Sequence, residues 1–160
     1  MAEQSEVRKD LQVVVFHLGG EEYGADISQI REIIRVGEIT TIPQAPIDIT
    51  GMINLRGHIT TVVNLRKRLG MEERRVDGSS RIVIVEVEGK TVGLMVDNVS
   101  EVKHIKGSQV DPVNQVLVAN PDQSYIQGIC KLKSSLLILV DLKKVIGADN
   151  ENGNRDTAVV

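Results

Sequence analysis

The chain has very few aromatic residues. Phe16, Tyr23 and Tyr125 are the only Phe or Tyr side chains among 160 residues, and tryptophan is absent. Nucleic-acid binders stack bases on aromatic rings over a basic face. This chain has a formal net charge of −3, so that class is excluded. Cysteine is nearly absent too: a single Cys130 forbids an internal disulfide. Its apolar neighbourhood reads as a buried, inert thiol. Long hydrophobic runs are missing. The longest purely aliphatic one, Leu136 to Val140, falls far short of the roughly 20 residues of a membrane helix. Met1 to Asp10 is polar and carries no apolar signal core. The expectation is a cytoplasmic protein with no direct membrane insertion. The four prolines are confined to two stretches, Glu38 to Thr50 and Lys106 to Gln127, which therefore read as loops.

What is present is aliphatic and repeated. Hydrophobic residues make up 41% of the chain, enough for a core built from Val, Ile and Leu, and β-branched residues favour strands. Val13 to Val36 lies on Ile82 to Ile105 without a gap at an offset of 69, placing Gly20 on Gly89, Gly24 on Gly93 and Glu32 on Glu101. Gly51 to Gly70 lies on Gly128 to Gly147 at an offset of 77, where Leu55, Val63, Leu65 and Lys67 meet Leu132, Val140, Leu142 and Lys144. A doubled chain means two similar small subdomains. A half of about 60 residues is marginal alone, so the halves should pack and fold together.

Within each half the pattern predicts about five short strands. Leu11–Leu18 and Glu22–Ile27 form a hairpin, repeated by Arg81–Val87 and Thr91–Val96. Ile30–Val36 and Val99–Ile105 read as strands, although the three-residue spacing of Ile27, Ile30 and Ile33 also suits a helical turn. Met52–Arg56 and His58–Val63 bend around Gly57, and Ile129–Lys133 and Leu136–Val140 repeat them. A short helix closes each half, with Asn64 and Asp141 as N-caps, Gly70 and Gly147 as stops, and lysines and arginines at the dipole's negative end. Met71–Ser80 links the first repeat (about 11–70) to the second (about 80–147). Residues 1–10 and 148–160 are expected to be loose, disordered tails around one domain at 11–147. Five curved strands with one apolar face close most readily into a small barrel, which removes exposed edges.

Chemistry is hard to find. His17, His58 and His104 stand where the other half has Glu86, Ser135 and Arg35, the behaviour of solvated strand positions. No Gly-x-Ser-x-Gly elbow, metal-ligand spacing or phosphate loop occurs, and no cofactor is called for. The most pointed segment is Gly51-Met52-Ile53-Asn54-Leu55-Arg56-Gly57-His58-Ile59. Strand alternation turns Ile53 and Leu55 inward and Asn54 and Arg56 outward. Arg56 is then either a partner-reading guanidinium or a solvated arginine paired with a carboxylate. Glu32, repeated by Glu101, serves either the fold or binding.

These residues carry a resemblance. Together with Phe16-His17-Leu18-Gly19-Gly20-Glu21-Glu22-Tyr23-Gly24-Ala25-Asp26-Ile27, Val92 to Val99 and Leu136 to Leu142, the segment around Asn54-Leu55-Arg56-Gly57 resembles the CheW family of chemotaxis coupling proteins, over roughly Leu11 to Gly147. The resemblance implies an all-β fold of two SH3-like five-stranded barrels around a shared core. It implies a non-enzymatic adaptor, recruited to membrane-associated receptor arrays, whose partners are the chemoreceptor cytoplasmic tip and the regulatory domain of the histidine kinase CheA. It associates Glu32 and Arg56 with coupling and Ile30, Gly51, Val99 and Val102 with receptor or kinase binding. Asn54 and Gly57 complete the candidate partner surface. Two rivals stand beside it: a coupling domain detached from a fusion protein, and a small β-barrel hydrolase or ligand-binding protein using His17, His58 or His104.

Overall fold

A computed structural model describes residues 9–112 and 125–152, and the side chains of 148–152 are left aside. The elements run β1 (Leu11–Leu18), β2 (Glu21–Asp26), β3 (Ile30–Arg35), β4 (Ile49–Leu55), β5 (His58–Asn64), α1 (Leu65–Arg68), β6 (Arg81–Val87), β7 (Lys90–Val96), β8 (Asn98–Ile105), β9 (Val110–Pro112), β10 (Ile126–Lys131), β11 (Leu136–Val140) and α2 (Leu142–Asn152). The fold is mostly β, in two sheets, as expected. Ile27–Gln29 form a single 3-10 turn before β3, so both readings of the three-residue spacing have a share in the answer.

The sheets do not follow the halves. One runs β8-β1-β2-β11-β10-β9 and the other β3-β6-β7-β5-β4. Under the repeat, β1, β2, β3, β4 and β5 match β6, β7, β8, β10 and β11. Each sheet therefore contains the same five-strand unit, a hairpin from one half and three strands from the other, and β9 is the sixth strand of the first sheet. The sequence leaves strand exchange between the halves open, and in the structure the halves do exchange strands. The turn at Ile27–Gln29 carries the chain out of one sheet and straight into the other, and a single residue, Asp97, does so between β7 and β8. Each hairpin joins the partner half on both sides, through the antiparallel pairings of β1 with β8 and of β6 with β3 and through the two parallel pairings, β2 with β11 and β7 with β5.

Each sheet's edges are brought together by one continuous segment. Beyond β3, Thr40 exchanges backbone hydrogen bonds with Met52 on β4, at 2.9 and 2.8 Å. Beyond β8, β9 pairs with β10, placing Asp111 opposite Ile129. Pro112 ends this edge strand, where a missing N–H is tolerated. The stretch from Lys106 to Gln127 is therefore not all loop; its residues 113–124 lie outside the described region. The closing segment passes so near the neighbouring strand that only glycine fits beneath it. A Cβ on Gly51 would collide with the Thr40 carbonyl oxygen, and one on Gly128 would lie 2.6 Å from the Asp111 oxygen. These two glycines are repeat equivalents.

β1 and β6 are buried on both faces, which explains their unbroken apolar runs. Val13 and Val15 face the interior of the six-stranded barrel with Ile105, Cys130, Leu137 and Leu139. Ile82 and Ile84 face the interior of the five-stranded barrel with Ile53, Val62 and Met95. The alternate residues, among them Phe16, Leu18, Val83 and Val85, meet Leu65, Val140, Leu142 and Val145 in a core shared by the barrels. Phe16 stacks on Tyr23 there at 5.7 Å. Cys130 is fully buried, and burial pushes its thiol up to about 11, in keeping with the inert reading.

The helix ends differ from expectation in one place. Asn64 caps α1, its side chain accepting from the Lys67 N–H, and Gly70 follows with φ +82°. Gly147, by contrast, does not stop α2, which continues to Asn152. A glycine inside a helix costs about 1 kcal/mol relative to alanine, and Leu142, Val145 and Ile146 anchor this helix to the shared core. Residues 148–152 are thus helical. Asp10 is also docked, accepting from the Gly107 N–H at 3.0 Å. Residues 1–8 and 153–160 of the expected tails lie outside the described region.

Candidate functional site

The Asn54-Leu55-Arg56-Gly57 segment is a self-supporting turn. Leu55 ends β4 with its side chain against the five-stranded barrel's core. The next two residues take positive φ, +52° at Arg56 and +88° at Gly57, as two-residue hairpin loops require to match the strand twist. Glycine accepts this readily, and arginine does so at some cost. The Asn54 side-chain oxygen accepts from the Gly57 N–H at 2.7 Å and holds the turn closed. Arg56 is therefore presented from the tip of a turn and not from a strand. Asn54 is exposed as expected, but its side chain is committed to the turn.

Arg56 meets Glu32. Its guanidinium donates through both terminal nitrogens, Nη1 to Oε1 at 3.3 Å and Nη2 to Oε2, the bidentate geometry that favours arginine over lysine. Glu32 reaches this position from β3, where the register with β6 shifts between Ile30 and Glu32. The hydrogen bond from Arg56 holds the Glu32 carboxyl below the usual range. On the same strand Arg31 pairs with Glu86 at 2.5 Å. Arg56 remains largely exposed at 68%, so the pair stands at the surface.

The other candidates fall elsewhere. Gly51 is buried at the closing point beneath Thr40, a position that the architecture itself requires. Ile30 and Val99, which are repeat equivalents, are partly buried and pack against the shared core from β3 and β8. Val102, also on β8, is 51% exposed. The structure thus joins Glu32, Asn54, Arg56 and Gly57 in one cluster and places Val99 and Val102 in the other sheet. His17 and His104 lie on β1 and β8, and His58 opens β5 in the opposite sheet.

Two charged clusters escaped the sequence reading. Asp97 is 7% exposed. Burial opposes its ionisation, but a two-pronged bond from Arg66, at 2.8 and 2.7 Å, the Gly19 N–H at 2.9 Å and Arg74 at 3.2 Å outweigh it and hold its pKa low. This carboxylate ties α1, the β1–β2 turn and the inter-repeat linker together. Asp48 and Arg68 form a second pair at 2.6 Å with side chains 4% and 8% exposed, and Arg68 also donates to the Val145 carbonyl at 2.9 Å. The arginines of α1 serve these contacts and not merely the helix dipole. Their partners are tens of residues away in sequence, beyond any spacing rule.

The architecture defines a paired-barrel interaction module, two SH3-like units sharing a core with the candidate residues on its surface and at its seam. The sequence profile of the CheW-like domain matches residues 12–150, and the chain belongs to that family. It is 32% identical to the chemotaxis protein CheW of Klebsiella aerogenes, over 85% of this chain and 81% of that protein. It is 30% identical to CheW of Bacillus subtilis, over 91% and 93% respectively. Among solved structures, the scaffolding protein TtCheW of Thermoanaerobacter tengcongensis superposes with a TM-score of 0.76 at 38% identity, covering 84% of this chain and 91% of that one. Among the described residues, no helix is long and apolar enough to cross a membrane.

Proposed function

We propose that this chain is a chemotaxis adaptor that couples the cytoplasmic tips of chemoreceptors to the regulatory domain of the histidine kinase CheA, in membrane-associated arrays and without turning over a substrate. The observation that carries the reading is the Glu32–Arg56 pair. Two residues that the family resemblance associates with coupling come from β3 and from the β4–β5 turn and meet on the surface of one barrel. A rigid turn supports the arginine, so the pair is oriented before any partner arrives, which lowers the ordering cost of binding. Ile30 and Val99 add aliphatic surface at the shared core, and Val102 adds an exposed aliphatic side chain on β8. Signal passes through such a scaffold only if the receptor's two states make different contacts with it.

The test is reconstitution. The purified chain is mixed with a receptor cytoplasmic fragment and the kinase, and the co-sedimenting complex is assayed for autophosphorylation. A ternary complex with stimulated kinase is the expected result. Failure of the chain to bring receptor fragment and kinase together would defeat the reading.

A further inference from the structure

The covalent link between the two halves is the segment Met71–Ser80, and it belongs to neither barrel. No strand or helix falls in it. Its first residues rest on α1 of their own half. The Met71 N–H donates to the Arg66 carbonyl at 2.8 Å, and Arg66 Nη1 donates to the Glu72 carbonyl at 2.7 Å. Arg74 reaches across to Asp97 at 3.2 Å, but at 47% exposure its side chain adds little to the tie. Arg75 is exposed, and Val76 is 43% exposed. The link is a strap on the surface.

What holds the halves together lies elsewhere. Four strand pairings join them, β1 with β8, β2 with β11, β6 with β3 and β7 with β5. The shared core takes Phe16, Leu18 and Leu65 from the first half and Val83, Leu142 and Val145 from the second. Polar contacts cross as well. Gln29 donates to the Asp141 carboxylate at 2.9 Å and accepts from the Leu142 N–H at 3.0 Å, and Arg68 donates to the Val145 carbonyl. Asp97 accepts from Arg66 and from the Gly19 N–H. None of these contacts uses a strap residue. Taken from its partner, the first half would leave β1, β2, β3 and β5 each with an unpaired edge, and such edges are templates for another chain. A half from a second copy presents the same strands and the same side chains, so it can close both barrels equally well. Had each half closed its own barrel, no such exchange would exist.

We propose that the halves are separable partners and that a second copy of this chain accepts them: two copies exchange halves and form a dimer of four complete barrels, each built from both chains. The strap sets the balance. It favours the monomer by holding the chain's own second half at an effective concentration of about a millimolar. The exchanged form therefore gains when the chain folds at a comparable concentration. Such a dimer carries two Glu32–Arg56 pairs on one body, which makes a partner-binding scaffold bivalent. The exchange itself stands apart from the coupling role and is read without receptor or kinase.

The test begins by nicking the whole chain. A viral-protease recognition sequence is inserted between Arg75 and Val76 and cut after folding. At about 10 µM the nicked chain should sediment as one species of the parent's mass, keep its circular dichroism and melt at a temperature that falls on dilution, as a two-chain complex does. Halves that part, or a nicked chain that unfolds, overturn the proposal. The uncut chain supplies the second arm. Gln12 and His104 are exposed and face each other across β1 and β8, within the span of a disulfide. Gln12→Cys and His104→Cys chains are denatured together, refolded at about 1 mM or about 10 µM and then oxidised. A disulfide joining the two substituted positions, identified by peptide mass, forms between chains where β1 of one lies beside β8 of the other. The linked dimer should be about tenfold or more richer after refolding at the higher concentration, and absent when the chains are folded apart before mixing. Equal linkage from chains folded apart marks surface collision, and no linkage at the higher concentration marks halves that never exchange. Either result overturns the proposal.

Discussion

The two barrels are the same construction carrying different charges. Each takes a hairpin from one repeat and three matching strands from the other, the six-stranded barrel adding β9, and each seats a glycine under its closing segment. Even single backbone bonds are copied: the Asn64 N–H to the Asp48 carbonyl at 2.7 Å recurs as the Asp141 N–H to the Tyr125 carbonyl at 2.8 Å. The side chains at those sites have diverged. Asp48 and Arg68 form a buried ion pair, whereas their equivalents Tyr125 and Val145 pack against the shared core. Glu32 and Arg56 are joined at the surface of the five-stranded barrel. Among the described residues no ion pair joins their equivalents Glu101 and Lys133, and Glu101 instead lies 3.9 Å from Lys103. The backbone design tolerates either chemistry. At these two sites the ion pairs stand on one side of the repeat only.

The sharpest way to break this comparison is to make the halves alike. Arg68→Ala leaves Asp48 buried without its guanidinium, and should cost about 3–5 kcal/mol in urea unfolding. The double change Asp48→Tyr with Arg68→Val copies the other half and should recover most of that loss, since apolar replacements of buried pairs are often neutral. If the double variant is as unstable as the single one, the two sites are not equivalent. Next come the closing glycines. Gly51→Ala and Gly128→Ala should each destabilise by about 1–3 kcal/mol through overpacking, and by similar amounts. A clear difference in their urea midpoints would show that the closures differ.

Acid should act through Asp97. Its folded pKa lies below the ordinary carboxylate value, so the folded state binds its proton less readily than the unfolded chain. Its contribution is complete above the unfolded value near 4 and is lost as pH falls through the lower folded value. Asp97→Asn should therefore destabilise at neutral pH and flatten the acid limb of the stability profile between about pH 4 and 2. An unchanged limb would mean that other carboxylates dominate it.

Much of this was legible in the residues. The repeat gave the strand set because both copies keep apolar positions at matching offsets, and the capping asparagine Asn64 and the bend at Gly57 are local signals. Strand exchange was not legible. Equivalent copies offer the β1–β2 hairpin equally good partners in either half, and no residue pattern distinguishes own from other. The continuation of α2 past Gly147 was hidden for a related reason: tertiary anchoring by Leu142, Val145 and Ile146 overrides a local stop signal. Alternation correctly turned Arg56 outward, but its partner Glu32 lies 24 residues away, where only the closed barrel brings the two together. Gly51 drew attention as a binding position, and its collision with Thr40 became visible only once the barrel closed.

The most direct test sets Arg56→Ala against Lys133→Ala in the receptor–kinase complex. The two positions are repeat equivalents, and among the described residues only Arg56 is ion-paired. Arg56→Ala should reduce co-sedimentation of receptor fragment with kinase while its melting temperature stays within about 3 °C of the parent, and Lys133→Ala should leave the complex intact. Equal loss from both variants, or unfolding of Arg56→Ala, would contradict a coupling role specific to the Glu32–Arg56 pair.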